Sequence, residues 1–106
     1  FKLVLEETVD ETPGRGVDVV DDTLSDLRML SRSTRRTNLD GEFYARSALN
    51  RQFCVVVDPV NAAKSKLRIY AGSYLRDREQ AGVIFSQIMS RLAVDRISLA
   101  EPGERY

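Results

Sequence analysis

Asp18, Asp21, Asp22 and Asp26 are the densest group of chemistry-bearing side chains in this sequence. Carboxylates so close together could exchange protons as acid and base or hold a hard cation. Their spacing matches no calcium loop, because no glycine stands at the centre and no closing glutamate falls in register. Acidity beside a helix start is the simpler account, each group favouring the helix dipole by about 0.3 to 1 kcal/mol. The sequence contains no histidine, so Ser-His-Asp, Cys-His and most zinc arrangements are excluded together. Cys54 is the one cysteine and lies in the apolar run Phe53 to Val57, where burial keeps a thiol protonated and inert. Gly72 and Ser73 fall between a strand and a helix, a position whose free amides can cradle phosphate. Neither a Gly-Lys-Ser/Thr motif nor a Gly-x-Gly-x-x-Gly motif accompanies them, and no cofactor is expected.

The other chemistry available is recognition. Lys and Arg number 16 against 16 Asp and Glu, yet the balance hides an asymmetry: residues 1–26 carry a net charge of −6 and residues 27–76 a net charge of +7. Arg28, Arg32, Arg35, Arg36, Arg46, Arg51, Lys64 and Lys66 could form a basic face for RNA or DNA. The alternative is that the acidic start folds against the basic middle and neutralises it. Tyr44, Arg46, Arg68 and Tyr70 alternate along two strands and pair aromatic with guanidinium, the chemistry of a protein-binding surface.

Elements must position these groups. With 106 residues, 42% of them hydrophobic and 30% charged, the chain suits one domain with a single core and lacks the long apolar run of a membrane span. Phe1 to Leu5 alternate as a strand. Residues 6–16 hold acidic groups with Thr12, Pro13, Gly14 and Gly16 and read as an exposed loop; Val17 to Val20 suggest a short strand. Thr23 and Asp26 have capping-box spacing, which predicts a helix through Leu24, Leu27 and Leu30 towards Arg35, followed by a turn at 38–41.

From Glu42 to Tyr70 the period is that of strands, predicting three antiparallel neighbours with turns near Asn50 and at Asp58 to Asn61. The continuous run Phe53 to Val57 predicts a strand buried on both faces. Asp77 and Gln80 open a second helix along Ala81, Ile84, Phe85, Ile88, Met89 and Leu92. Gly82 within it marks either a close approach or a tolerated defect. Ile97 and Leu99 suggest a last strand, and residues 101–106 a frayed end.

The expected fold is therefore α+β: a two-layer domain over residues 1–106, with a mostly antiparallel sheet of three to five strands and two helices on one face, in the rough order β-α-β-β-β-α-β. The expected function is a non-enzymatic interaction module that binds another protein or itself through a sheet face or edge strand, with Tyr44, Arg46, Arg68 and Tyr70 at the contact. Nucleic-acid binding through 28–76 is the first alternative, and a histidine-free carboxylate enzyme the second. A lone cysteine fits a reducing compartment such as the cytoplasm. The start at Phe1 without a signal-peptide pattern reads as an excised domain.

Overall fold

The computed structural model describes the backbone of residues 2–27, 29, 31–37 and 40–100, and the side chains of these apart from 31–33 and 94–100. Its elements are β1 (Lys2–Val9), α1 (Pro13–Asp26), β2 (Ser31–Arg36), β3 (Gly41–Arg46), β4 (Gln52–Asn61), β5 (Lys64–Ala71) and α2 (Leu75–Ala100). The strands form one antiparallel sheet in the order β1-β5-β4-β3-β2, with both helices packed on one face. The α+β class and the two-layer arrangement are those expected. The element order is β-α-β-β-β-β-α.

The differences begin at Thr12. Residues 6–9 continue β1 and residues 13–16 open α1, so the expected acidic loop shrinks to a short connection. Thr12 is the N-cap, its hydroxyl accepting from the Arg15 N–H at 3.4 Å. Pro13 takes the first helical position, where a missing N–H costs nothing. The supposed loop breakers are thus a helix start, and Val17, Val19 and Val20 become its buried stripe rather than a strand.

Thr23 lies inside this helix instead of capping another. Its buried hydroxyl donates back to the Val19 carbonyl at 2.7 Å. The stretch expected to be helical beyond it becomes β2: its Ser and Thr residues are weaker helix formers, and antiparallel pairing with β3 prevails over the helix propensity of its arginines. Leu30, Asn38 and 101–106 lie outside the described residues, so the end of the expected helix stripe, part of the 38–41 turn and the expected frayed end are not described. Ile97 and Leu99 continue α2, which removes the last expected strand.

The β3–β4–β5 meander is as expected. Asn50 turns the first connection with φ of 62°, a conformation Asn tolerates better than most residues. The second turn comes later than the sequence suggests: β4 runs through Asp58 and Pro59 to Asn61, whose Oδ1 accepts from the Ala63 N–H at 2.8 Å. Among the described residues, pairing with β3 runs as far as Val57, and Pro59 pairs with Ser65 of β5.

Alternation along the strands sends Phe43 and Ala45, Phe53, Val55 and Val57, and Leu67, Ile69 and Ala71 into the core. There they meet Val17, Val20 and Leu24 of α1 and Ala81, Ile84, Ile88 and Leu92 of α2. A Cβ on Gly82 would meet nothing within 4 Å, so that glycine serves no close approach.

Candidate interaction face

Because both helices cover the same side, the opposite parity of every strand faces away from them. This is the usual division in an antiparallel sheet, one face packed and one open. The register aligns the outward residues in rows across the strands. Leu3, Tyr70, Cys54 and Tyr44 stand opposite one another on β1, β5, β4 and β3. The next row has one residue per strand: Glu6, Arg68, Val56, Glu42 and Arg35.

The first row is apolar and aromatic, with Leu3 49% and Tyr44 41% exposed. The second alternates in charge on either side of Val56. Arg68 donates from Nε to Glu6 Oε2 at 2.8 Å and from Nη1 to Asp58 Oδ2. The guanidinium holds the Glu6 carboxyl below its ordinary value, and Glu6 in turn raises Arg68. Across the sheet, Arg35 lies 3.7 Å from Glu42, and the Tyr44 hydroxyl donates to the same Glu42 carboxylate at 3.3 Å. Glu42, Tyr44, Cys54, Val56, Asp58, Arg68 and Tyr70 enclose a shallow concavity of about 460 Å³.

Cys54 is 7% exposed at the floor of this concavity. The expectation that its strand is buried on both faces is corrected: Val55 and Val57 are covered by the helices, while Cys54 and Val56 belong to the open side and Val56 is only half-buried. Burial still raises the thiol pKa, against a hydrogen bond with Tyr44 that lowers it. The neighbouring Cys54 and Glu42 raise the Tyr44 phenol above its ordinary value.

Of the residues proposed from sequence for protein contact, Tyr44, Arg68 and Tyr70 line the concavity, and Arg46 stands further along β3 with the same parity. Sequence reasoning missed Leu3, Glu6, Val56 and Glu42. Strand parity signals Val56 and Glu42 once the pairing register is known, whereas Leu3 and Glu6 have opposite parity and share the face because the register shifts between Leu3 and Leu5.

The described residues proposed for nucleic acid divide between surfaces. Arg35, Arg46, Lys64 and Lys66 belong to the open sheet face by register and strand parity. Arg36 turns to the helix side and meets Asp18 Oδ1 at 2.6 Å and Asp21 Oδ2 at 3.4 Å. Lys64 lies 3.6 Å from Asp10. Arg51 lies 3.6 Å from Asp77 and stacks over the Tyr74 ring at 4.9 Å. Arg28 lies outside the described residues, as does the side chain of Arg32. Glu6, Asp10, Asp18 and Asp21 thus bring the acidic start against the basic middle.

Two other sequence features find their place. Of the acidic group on α1, Asp18 and Asp21 face Arg36, and Asp26 pairs with Arg91 of α2. Among the described residues no cluster of three or more His, Cys, Asp or Glu could hold a metal ion. At Gly72 and Ser73 the carboxylate of buried Asp77 occupies the start of α2, so close that a Cβ on Gly72 would collide with its Oδ2. A carboxylate there opposes the approach of a phosphate. Among the described residues no helix is long and apolar enough to cross a membrane.

No protein-family model matches the sequence, and no curated protein matches it.

Proposed function

We propose that this chain is a non-enzymatic interaction module whose open sheet face holds a flat protein surface with an apolar centre and charges of both signs. The observation that carries this reading is the alignment of Leu3, Tyr70, Cys54 and Tyr44 in one row beside the charged row. Aromatic side chains with a polar tip give large contact area at small entropic cost, and a mixed-charge border sets orientation and rejects wrong partners.

The charge pattern favours protein over nucleic acid. A polyanion needs cations free to replace its counterions. Here Arg35 and Arg68 lie beside Glu42, Glu6 and Asp58 on the face, Lys64 at the start of β5 meets Asp10, and Arg36 and Arg51 meet carboxylates elsewhere.

The test compares proteins retained from a source lysate by immobilised wild type and by the Tyr44→Ser/Tyr70→Ser variant, with circular dichroism confirming that the variant is folded. A partner retained by wild type and lost by the variant is expected. Identical retained sets would overturn the face as the contact.

A further inference from the structure

Reversing the second row exchanges its signs. Read from β1 to β2 it is Glu6, Arg68, Val56, Glu42, Arg35, that is minus, plus, neutral, minus, plus. Read backwards it is plus, minus, neutral, plus, minus. β4 is the middle strand of five, with β1 and β5 on one side and β3 and β2 on the other. A two-fold axis parallel to β4, lying between two facing sheets, maps each row onto its own reverse.

We infer that the partner of this face is a second copy of the chain, packed sheet to sheet about a two-fold axis parallel to β4. The inference rests on the interaction reading above and names the partner. In this arrangement Glu6 faces Arg35 of the second copy and Arg68 faces its Glu42, and the same contacts repeat on the other side of the axis. Each side becomes a group of four charges, because Glu6 with Arg68 and Arg35 with Glu42 are already neighbours within one chain. Every charge in such a group has opposite charges beside and across from it, the self-complementarity that a two-fold contact demands.

The apolar row follows the same operation. Tyr70 faces Tyr44 of the second copy, Cys54 meets its counterpart, and in the adjacent row Val56 meets Val56. Asp58 also meets its counterpart, and each Asp58 is held by the guanidinium of its own Arg68. An axis strictly parallel to β4 keeps the two central strands parallel; the crossing of about 30° common in aligned sheets inclines the axis by about 15° to β4 and displaces contacts about 10 Å from it by roughly 5 Å. Arg and Glu side chains span such an offset at the edges, while the short Val56 and Cys54 lie near the axis, where the offset is small.

The face also sets the strength. Five strands about 4.8 Å apart and about six residues long cover roughly 24 by 20 Å. That lies below the ~800 Å² per partner of a standard interface, so the dimer is a weak one.

Charge reversal provides the test. Glu6→Arg places like charges across from Arg35, and Arg35→Glu places like charges across from Glu6. Each single variant is expected to weaken self-association about tenfold or more in sedimentation equilibrium. An equimolar mixture of the two is expected to dimerise at least as well as wild type: in the mixed dimer the introduced arginine faces the introduced glutamate, and the remaining Glu6 faces the remaining Arg35. Tyr44→Ser/Tyr70→Ser is expected to remain monomeric.

Wild type that stays monomeric up to about 1 mM would overturn the second copy as partner while leaving the face open to another protein. A wild-type dimer whose single-variant mixture fails to recover would overturn the two-fold arrangement. A dimer indifferent to every one of these changes would overturn the face itself.

Discussion

Glu6 on β1 and Arg68 on β5 stand directly opposite in the strand register and are joined by a hydrogen bond of 2.8 Å from Nε to Oε2. The pair ties the edge strand to the sheet and sets the sign of one half of the open face. Arg68 also holds Asp58 on β4, so one guanidinium spans three strands.

This pairing makes stability depend on acid. The guanidinium lowers the Glu6 pKa below its ordinary 4.5 in the folded chain. Its contribution is therefore complete above the unfolded value and is lost as the pH falls through the folded one. Glu6→Gln should be less stable than wild type in urea unfolding at about pH 7, and the difference should shrink as the pH falls below 4.5. A difference that persists undiminished in acid would contradict the assignment.

Helix starts can be tested through two threonines. Thr12 caps α1 and Thr23 sits within it. Thr12→Ala should lower stability by about 1 kcal/mol, the usual cost of losing such a cap. Thr23→Val keeps the buried shape and removes a hydroxyl that bonds only its own helix, and should cost about 1 kcal/mol or less. Chemical denaturation measures both, and a reversed order would move the helix start.

These threonines also show why part of the fold was legible in the sequence and part was not. Thr12-Pro13-Gly14 carries turn residues and an N-terminal helix signal at once, and single residues do not say which applies. Thr23 and Asp26 satisfy capping-box spacing, yet Thr23 lies on the same buried side as Val20 and Leu24. β2 is polar throughout, so its identity as a strand comes from pairing with β3 rather than from alternation. By contrast, Phe43, Val55 and Ile69 announce their strands because the packed face is strongly apolar. Tyr44, Arg68 and Tyr70 were legible as part of the candidate face for the same reason, while Leu3 and Glu6 joined it through the β1–β5 register.

The two glycines flanking the start of α2 should respond in opposite directions. A Cβ at Gly82 meets open space, whereas one at Gly72 runs into Asp77 Oδ2. Gly82→Ala should therefore stabilise by about 0.4 to 1 kcal/mol, and Gly72→Ala should destabilise as Asp77 is displaced from its pairing with Arg51. Thermal or urea unfolding distinguishes them, and a loss of stability at Gly82 would show a contact absent from this packing.

Cys54 reports on the floor of the concavity. Burial raises its thiol pKa above the ordinary 9.0, so a disulfide reagent should react with it slowly near neutral pH and faster as the thiolate forms in alkali. Tyr44→Ala uncovers the site and should speed the reaction. A wild-type rate equal to that of an unfolded thiol would contradict the burial.

The open sheet face is tested most directly by a series of amide NMR spectra at increasing protein concentration. From about 20 μM to about 1 mM, the shifts should gather at Leu3, Glu6, Tyr44, Cys54, Val56, Arg68 and Tyr70, with α1 and α2 unchanged. Shifts confined to the helices, or spectra that do not change in a sample shown to associate, would contradict the assignment.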